Sequence, residues 1–365
     1  MDVPDSLYIS IVAAFFLISL VGMAFLGTPE GAADAVNATG LFGEAGERTP
    51  VRPDGFQTIC LGSGCVPSID DPSYTSVFNA GWLDRGDDVI SVSVGGEHYA
   101  FPLRVLRLHG VVNTRLGGKP VAVTYSPHSG TPVVVSRRVG GDVLQFEHSG
   151  KLYNGNMVMR DRETGTMWSQ FLSEGLKGEL AGTQLQTLDS QVVRWGIWRD
   201  NHPTGRVLSR DTGIYGTERY MDTPYFAYRL SRDVPFHQFQ SDTHPKAVVY
   251  GTVVDGSAAA YRDAHVKARD LVQDEVGGEP VMLVQDEDRD WILGFRREVN
   301  GSETTFRLED GELVDDRTGS TWTLAGKAVG GPMEGARLPR LELRRSYWFT
   351  WKLFYPETEL YSVRG

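Results

Sequence analysis

The residue types best suited to chemistry gather in one short polar segment, residues 124–131, which reads Thr-Tyr-Ser-Pro-His-Ser-Gly-Thr. Within it, Ser126 and Ser129 flank His128. A serine hydroxyl attacks an acyl group only when an adjacent base takes its proton, and histidine is the usual base. The segment is therefore where we look first for a functional site.

One interpretation of the segment is a Ser/His hydrolase. In it, Ser126 or Ser129 is the nucleophile, His109 or His128 is the base, and Asp161 orients that base. No Gly-x-Ser-x-Gly turn, the usual setting of such a serine, supports it.

A second interpretation is a metal site in which His109, His128 and His148 are joined by a carboxylate. Imidazole nitrogen suits zinc or copper. The spacings between the three histidines match no common zinc-ligand pattern.

The third interpretation, which we favour, is a polar rim that binds a small ligand or a partner. Its candidate ligand-binding residues share a polar or aromatic side chain and lie near the segment or downstream of it: Tyr125, Tyr153, Asn154, Asn156, Arg160, Asp161, Arg219 and Tyr225. The sequence assigns no cofactor.

Much of the chain is written twice. Asp161 to Trp168 returns 154 residues later as Asp315 to Trp322, and Trp195 returns 153 residues later as Trp348. Elements that both copies share are explained by the fold, whereas residues 124–131 have only a charged counterpart, Gln-Asp-Glu-Asp-Arg-Asp. The sequence therefore predicts a first repeat with the candidate site and a second repeat that is scaffold.

The repeated unit predicts an α+β fold that is predominantly antiparallel β. Glycine-containing turns at Gly95-Gly96 and Asp255-Gly256 favour hairpins, and Pro102 favours the start of a short helix. Indoles three residues apart, at Trp195 and Trp198, share one face of a second helix and are expected in the core. The predicted boundaries are a membrane anchor, a flexible linker, a first repeat and a second repeat at 1–27, 28–70, 71–245 and 246–365.

The anchor is predicted from a run without charge that begins at Leu7 and ends at Leu26. A helix of that length spans about 30 Å of hydrocarbon. Asp2 and Asp5 replace the positive residues expected ahead of a cleaved signal, which favours a single-pass anchor, although Ala-Asp-Ala ending at Ala35 leaves cleavage open. We therefore expect a protein held in the cell membrane.

Two further features bear on location and partners. Cys60 and Cys65 are the only cysteines and are suited to a small disulfide, which favours a globular part outside the cytoplasm; two thiolates alone do not complete a structural zinc site. The net charge of -11 and the lack of a basic cluster argue against a nucleic-acid binder.

The segment around Tyr125, with the Gly117-Gly-Lys-Pro strand before it and the 149–170 stretch after it, resembles the bacterial and archaeal family called domain of unknown function 3179. The resemblance runs from about Cys60 to Tyr261. It implies an exported or membrane-anchored protein, and it implies no particular reaction.

The chain departs from the pattern of that family at its most reactive positions. The family usually has Tyr-Cys-Pro-Leu-Cys-Gly-Thr, or Thr in place of the second Cys, where this chain has Ser126, His128 and Ser129. A Cys-x-x-Cys pair suits redox or metal chemistry because thiolates are soft ligands and strong nucleophiles. His109 is kept, but Gly110 stands where the family has Glu. The resemblance thus implies a member that has lost or changed any cysteine chemistry.

Overall fold

The computed structural model describes residues 55–62, 64–221, 225–234 and 238–361. All of them belong to one compact unit, Phe42–Gly365. The predicted anchor, and the linker as far as residue 54, lie outside the described residues. No helix in the described ranges is long and apolar enough to span a membrane.

The described part of the chain is mostly antiparallel strand with a few short helices, as predicted. The helices are α1 (Leu103–His109), α2 (Trp195–Asn201), α3 (Tyr225–Leu230), α4 (Asp263–Lys267) and α5 (Trp348–Phe354), with 3-10 turns at Val77–Asn79 and Thr217–Tyr220.

We call residues 71–245 the first half and residues 246–365 the second half. Strands up to the end of the first half are β1 (Gln57–Thr58), β2 (Ile69–Asp70), β3 (Tyr74–Ser76), β4 (Asp88–Val94), β5 (Glu97–Pro102), β6 (Val111–Leu116), β7 (Lys119–Ser126), β8 (Thr131–Ser136), β9 (Arg138–Val139), β10 (Asp142–Val143), β11 (Phe146–Tyr153), β12 (Asn156–Asp161), β13 (Met167–Ser169), β14 (Glu174–Lys177), β15 (Ser190–Arg194) and β16 (Arg206–Leu208). They form sheets in the orders β15-β4-β5-β16-β3, β2-β6-β7-β8 and β1-β11-β12-β13-β14, with β9 and β10 as a separate hairpin.

The strands of the second half are β17 (Val248–Val254), β18 (Ser257–Arg262), β19 (Leu271–Val276), β20 (Glu279–Asp286), β21 (Trp291–Arg296), β22 (Glu298–Val299), β23 (Ser302–Glu303), β24 (Phe306–Glu309), β25 (Glu312–Asp315), β26 (Thr321–Trp322), β27 (Ala328–Gly330), β28 (Arg340–Leu341) and β29 (Arg344–Tyr347). Their sheets run β29-β17-β18, β19-β20-β21-β28 and β24-β25-β26-β27, with β22 and β23 as a hairpin. From β17 to α5 most elements follow the order of those from β4 to α2, whereas β28 has no counterpart strand in the first half.

The turns predicted from glycine pairs form where expected. Gly95 and Gly96 have φ of 63° and 81°, and join β4 to β5 in the two-residue turn that a hairpin requires. Pro102 lies at the N-terminus of α1, where its missing N–H is not needed.

The aromatic pairs are core residues, as predicted. Trp195 and Trp198 are stacked at 5.6 Å between ring centroids, and both are buried. The indole of Trp198 donates to the hydroxyl of Ser91 at 3.0 Å, so its polar atom is satisfied in the interior.

A turn that begins with an aspartate joins β12 to β13 in the first half and β25 to β26 in the second half. Asp161 accepts hydrogen bonds from the backbone N–H of Thr164 at 2.6 Å and from the indole of Trp168 at 2.8 Å. Asp315 accepts from the corresponding groups of Thr318 and Trp322, at 2.7 and 3.0 Å. A buried carboxylate is stable only when it is hydrogen-bonded in this way.

Candidate functional site

The four residues after β7 turn back into β8, and the hydroxyls of this segment lie in the interior. Thr124, Ser126, Ser129 and Thr131 all have side chains without solvent exposure. We predicted a polar rim, and the structure corrects that expectation. Their partners come from β12 and from the residues after β13, which cover the segment.

A buried hydrogen-bond network holds these hydroxyls. The hydroxyl of Ser126 accepts from the backbone N–H of Met157 at 3.1 Å. The hydroxyl of Ser129 donates to the carbonyl of Ser126 at 3.3 Å and accepts from the amide of Asn156 at 2.9 Å. The side chain of Asn156 also donates to Gln170 at 2.7 Å and accepts from the N–H of Phe171 at 3.0 Å. Asn156 is therefore a structural member of the network.

Gln170 completes the network from the other side. Its amide donates to the hydroxyl of Thr124 and to the carbonyl of Thr131, both at 3.0 Å. Thr124 in turn donates to the carbonyl of Val133 at 2.7 Å. A polar network whose members are mutually satisfied rigidifies the segment that contains it.

His128 and His148 lie near each other, and both are held neutral. Desolvation by burial, with the charge of Lys246 as a second cause, lowers the pKa of His128 to about 4. Desolvation, with His128 as the second cause, lowers the pKa of His148 to about 3. Nδ1 of His148 accepts from the N–H of Gly150 at 2.9 Å, so its proton is on Nε2.

His109 belongs to a different hydrogen-bond chain. Its Nδ1 donates to the carbonyl of Pro67 and its Nε2 accepts from the hydroxyl of Tyr220, both at 2.8 Å. Tyr220 in turn shares a 2.7 Å hydrogen bond with Thr212. Desolvation by burial lowers the pKa of His109. Both ring nitrogens are therefore occupied by protein groups.

These positions bear on the metal and hydrolase interpretations. Among the described residues, no group of three or more His, Cys, Asp or Glu side chains is gathered as a metal site requires. Asp161 accepts from Thr164 and Trp168 rather than from a histidine, so it does not orient a base. The structure thus does not assemble either set of catalytic or metal candidates.

The predicted ligand-binding residues do not surround one opening. Tyr125 and Tyr153 are buried in two separate apolar clusters. Arg160 pairs with Glu147 at 3.0 Å. These side chains are explained by packing and by an ion pair at the surface of the sheet.

Three further candidates lie elsewhere. Asn154, in the turn between β11 and β12, donates to the carbonyl of Leu353 in the second half at 3.1 Å. The guanidinium of Arg219 lies 5.2 Å from the ring centre of Tyr215. Tyr225 begins α3, and its side chain lies outside what the structure describes.

Cys60 and Cys65 are joined by a disulfide. The loop that it closes packs on the irregular part of β11, where Gly64 donates to the carbonyl of His148 at 3.3 Å. A Cβ added at Gly150 would lie 2.7 Å from the carbonyl oxygen of Cys60, so this approach requires glycine.

The connection between the two halves covers the segment. The hydroxyl of Tyr228, in α3, donates to the carbonyl of His128 at 2.7 Å. The ammonium of Lys246 donates to the carbonyls of Tyr228 and Ser231 at 2.7 and 3.1 Å, which holds the end of α3 in place. Desolvation by burial lowers the pKa of Lys246 to about 8.

The second half contacts the next two carbonyls of the segment. The backbone N–H of Tyr347 donates to the carbonyl of Ser129 at 2.7 Å, and the guanidinium of Arg345 donates to the carbonyl of Gly130 at 2.6 Å. The reciprocal contact also exists, because the N–H of Arg194 donates to a carboxylate oxygen of Asp290 at 3.0 Å. Each half therefore meets the other through its β7–β8 or β20–β21 turn.

A cavity of about 320 Å³ lies between the halves, directly after the segment. Residues 132–134 and 187–192 line it from the first half, and residues 340–345 with Tyr250 line it from the second. Ligand sites are typically cavities of about 300 Å³ or more, so this one is large enough for a small molecule.

Arg345 is a half-buried charge that lines this cavity. Desolvation by burial lowers its pKa, but the oxygens of Tyr250, Tyr125 and Asp88 raise it by more, so the guanidinium stays charged. Among the described residues, its hydrogen bonds go to Gly130 and Tyr250, and no carboxylate forms an ion pair with it. Arg344, by contrast, pairs with Glu342 at 2.8 Å.

Arg345 is not among the residues that the sequence predicts for a site, because the second repeat is predicted to be scaffold. A signal exists: Arg344 and Arg345 stand where Gln191 and Val192 stand 153 residues earlier. A charge in place of valine within a repeated strand contradicts the apolar pattern and is a reason to look for a role.

A family described as a protein of unknown function, DUF3179, matches residues 63–358. The chain belongs to this family. Neither a curated protein nor a solved structure matches the chain. The match of the DUF3179 family covers both halves, so the cavity between them lies within the part of the chain that defines the family.

Proposed function

We propose that this chain is a membrane-tethered, extracytoplasmic binding protein that holds a small ligand in the cavity between the halves, next to residues 124–131. The observation that carries the proposal is how this segment is held. Its hydroxyls are used internally, and the carbonyls of His128, Ser129 and Gly130 bind α3 and β29. A segment held on both sides acts as a fixed support for β8, whose first residues line the cavity, rather than as a source of a free nucleophile.

The tether rests on the sequence. The uncharged run from Leu7 to Leu26 is long enough to span a bilayer, and the disulfide between Cys60 and Cys65 is typical of an oxidising compartment. Carbonate extraction is expected to leave the protein in the membrane, and external protease is expected to digest it in spheroplasts. Protection from the protease would contradict the external placement.

We further propose that the two halves arose by duplication of one unit and that the cavity formed between the copies. Paired structural roles support it: the side-chain amide of Asn113 binds both backbone groups of Phe146, and that of Gln273, 160 residues later, does the same for Phe306. A cavity between two such units is a common place for a ligand.

The binding function is tested on the purified full-length chain in detergent. A panel of small polar metabolites is screened by thermal shift, and hits are measured by calorimetry. A chromogenic ester is assayed in parallel with the wild type and with Ser126→Ala. We expect ligand binding and no turnover. Ester turnover that is lost in a folded Ser126→Ala protein would replace this proposal with a hydrolase.

A further inference from the structure

The cavity between the halves is asymmetric in charge. Arg340, Arg344 and Arg345 line it from the second half, with Glu342 and Asp189 as the carboxylates. Glu342 is paired with Arg344, and Asp189 is exposed. Arg345 also lines the cavity; among the described residues no carboxylate forms an ion pair with it, although the charge of Asp88 raises its pKa.

The hydrogen bonds of Arg345 leave most of its donors unassigned. A guanidinium has five N–H donors; of those in Arg345, one is placed on the carbonyl of Gly130 and another contact is with Tyr250. Both partners are neutral oxygens, because burial raises the pKa of Tyr250. The guanidinium is half-buried, and none of its nitrogens is a buried atom without a partner, so the donors that Gly130 and Tyr250 do not use remain accessible to solvent or to a ligand.

The opposite wall does not repeat this arrangement. Val192 and Ile90 occupy the positions in the first half that correspond in sequence to Arg345 and Tyr250. The guanidinium is therefore not required by the repeated fold, since the first half closes the same place with apolar side chains. Its contacts with Gly130 and Tyr250 use only some of its donors, and the cavity that it lines is where a ligand would use the others.

We propose that the cavity binds a small organic or inorganic oxyanion, a carboxylate or a phosphate, with its charged oxygens against the guanidinium of Arg345. This inference rests on the proposed binding function and names its ligand class. The planar guanidinium fork matches two oxygens of a carboxylate or phosphate, which gives stronger hydrogen bonds than neutral partners do. The volume of about 320 Å³ limits the ligand to a small molecule.

Calorimetry on the full-length chain in detergent, at low ionic strength and in a buffer without carboxylate or phosphate, tests the inference with three probes. Succinate and inorganic phosphate distinguish the two anion sources, and succinamide is a neutral analogue of succinate. Arg345→Gln removes the charge but keeps a donor for Gly130. Gln191→Glu adds a carboxylate to the lining without touching Arg345. Arg307→Gln, at an exposed arginine paired with Glu309 and Asp316, is the matched control.

We expect succinate or phosphate to bind the wild type and Arg307→Gln alike, and to bind Arg345→Gln and Gln191→Glu about 10-fold or more weakly. If Arg345→Gln does not fold, the Gln191→Glu result decides. Equal anion binding by all four proteins overturns the inference, as does the absence of anion binding. A neutral metabolite that binds the wild type and Arg345→Gln equally would overturn the oxyanion assignment and leave the binding function standing, whereas no binding by any metabolite would overturn both.

Discussion

The guanidinium of Arg345 donates a 2.6 Å hydrogen bond to the carbonyl oxygen of Gly130, across the boundary between the halves. The polar segment that stands out in the sequence and the charged residue that does not are therefore parts of one feature. A change on either side of this contact is expected to disturb the other.

Gly130→Ala tests how closely the halves approach. Gly130 has a φ of 64°, and a Cβ there would lie 2.6 Å from a ring carbon of Tyr347. Gly118 has a φ of 78° but nothing within 4 Å of an added Cβ, so Gly118→Ala is the matched control for backbone strain. By urea unfolding, we expect Gly118→Ala to cost about 1 kcal/mol and Gly130→Ala to cost about 2–4 kcal/mol. Equal losses would mean that the halves are not packed here as described.

The aspartate turns are expected to contribute stability in both halves. Asp161→Asn and Asp315→Asn each put an amide N–H₂ where a buried carboxylate oxygen accepts from Thr and Trp groups. Each change is expected to lower the free energy of unfolding by about 1–3 kcal/mol. A loss in one half only would show that the two turns are not equivalent.

Asp315 also has an acid-sensitive contribution. Burial raises the pKa of Asp315, but hydrogen bonds from Trp322, Thr318 and Ser320 outweigh it and lower the pKa overall. The folded state then binds this proton less readily than the unfolded state, so the stability from Asp315 is present above about pH 4 and is lost as the pH falls below it. Thermal unfolding from pH 5 to 3 should be less pH-dependent in Asp315→Asn than in the wild type.

The low pKa values of His128 and His148 in the folded state are expected to make the protein less stable in mild acid. Their pKa values in the folded state, about 4 and about 3, lie below the value near 6.5 of an unfolded histidine. The unfolded state therefore binds more protons between pH 6.5 and 4, and each histidine removes about 1.4 kcal/mol per pH unit there.

His148→Asn checks that contribution, because its side-chain oxygen still accepts from the N–H of Gly150. The difference in unfolding free energy between pH 7.5 and 5 should be smaller in this variant than in the wild type. An unchanged difference would mean that His148 is not buried as a neutral group.

Asn156→Ala is expected to be more destabilising than Ser129→Ala. Asn156 has partners in Ser129, Gln170 and Phe171, and removing it leaves those buried groups unsatisfied. By urea unfolding we expect about 2–4 kcal/mol for Asn156→Ala and about 1 kcal/mol for Ser129→Ala. The reverse order would argue that Ser129 is the centre of the network.

Local patterns predicted much of the fold. The glycine turns, the helix after Pro102 and the core indoles Trp195 and Trp198 depend on neighbouring residues, so the sequence contains the information directly. The side on which residues 124–131 lie depends instead on Asn156 and Gln170, which are distant in sequence and reach the segment only through the sheet. A polar segment looks exposed until those partners are known.

The candidate site was predictable only in part. The sequence singles out the segment because its residues differ between the two copies, but it does not predict the neighbours from the second half, because the contact of Tyr347 with Ser129 joins residues more than 200 positions apart. Arg345 is not predicted for the same reason, because its contact with Gly130 joins residues 215 positions apart.

Hydrogen–deuterium exchange of the full-length chain, with and without saturating succinate or phosphate, tests the central claim that one site is built from both halves. Bound ligand is expected to slow exchange together in peptides that contain β8 (Thr131–Ser136) and β29 (Arg344–Tyr347), which line the cavity from the first and the second half. Protection confined to one half, or to peptides remote from both strands, would contradict the claim.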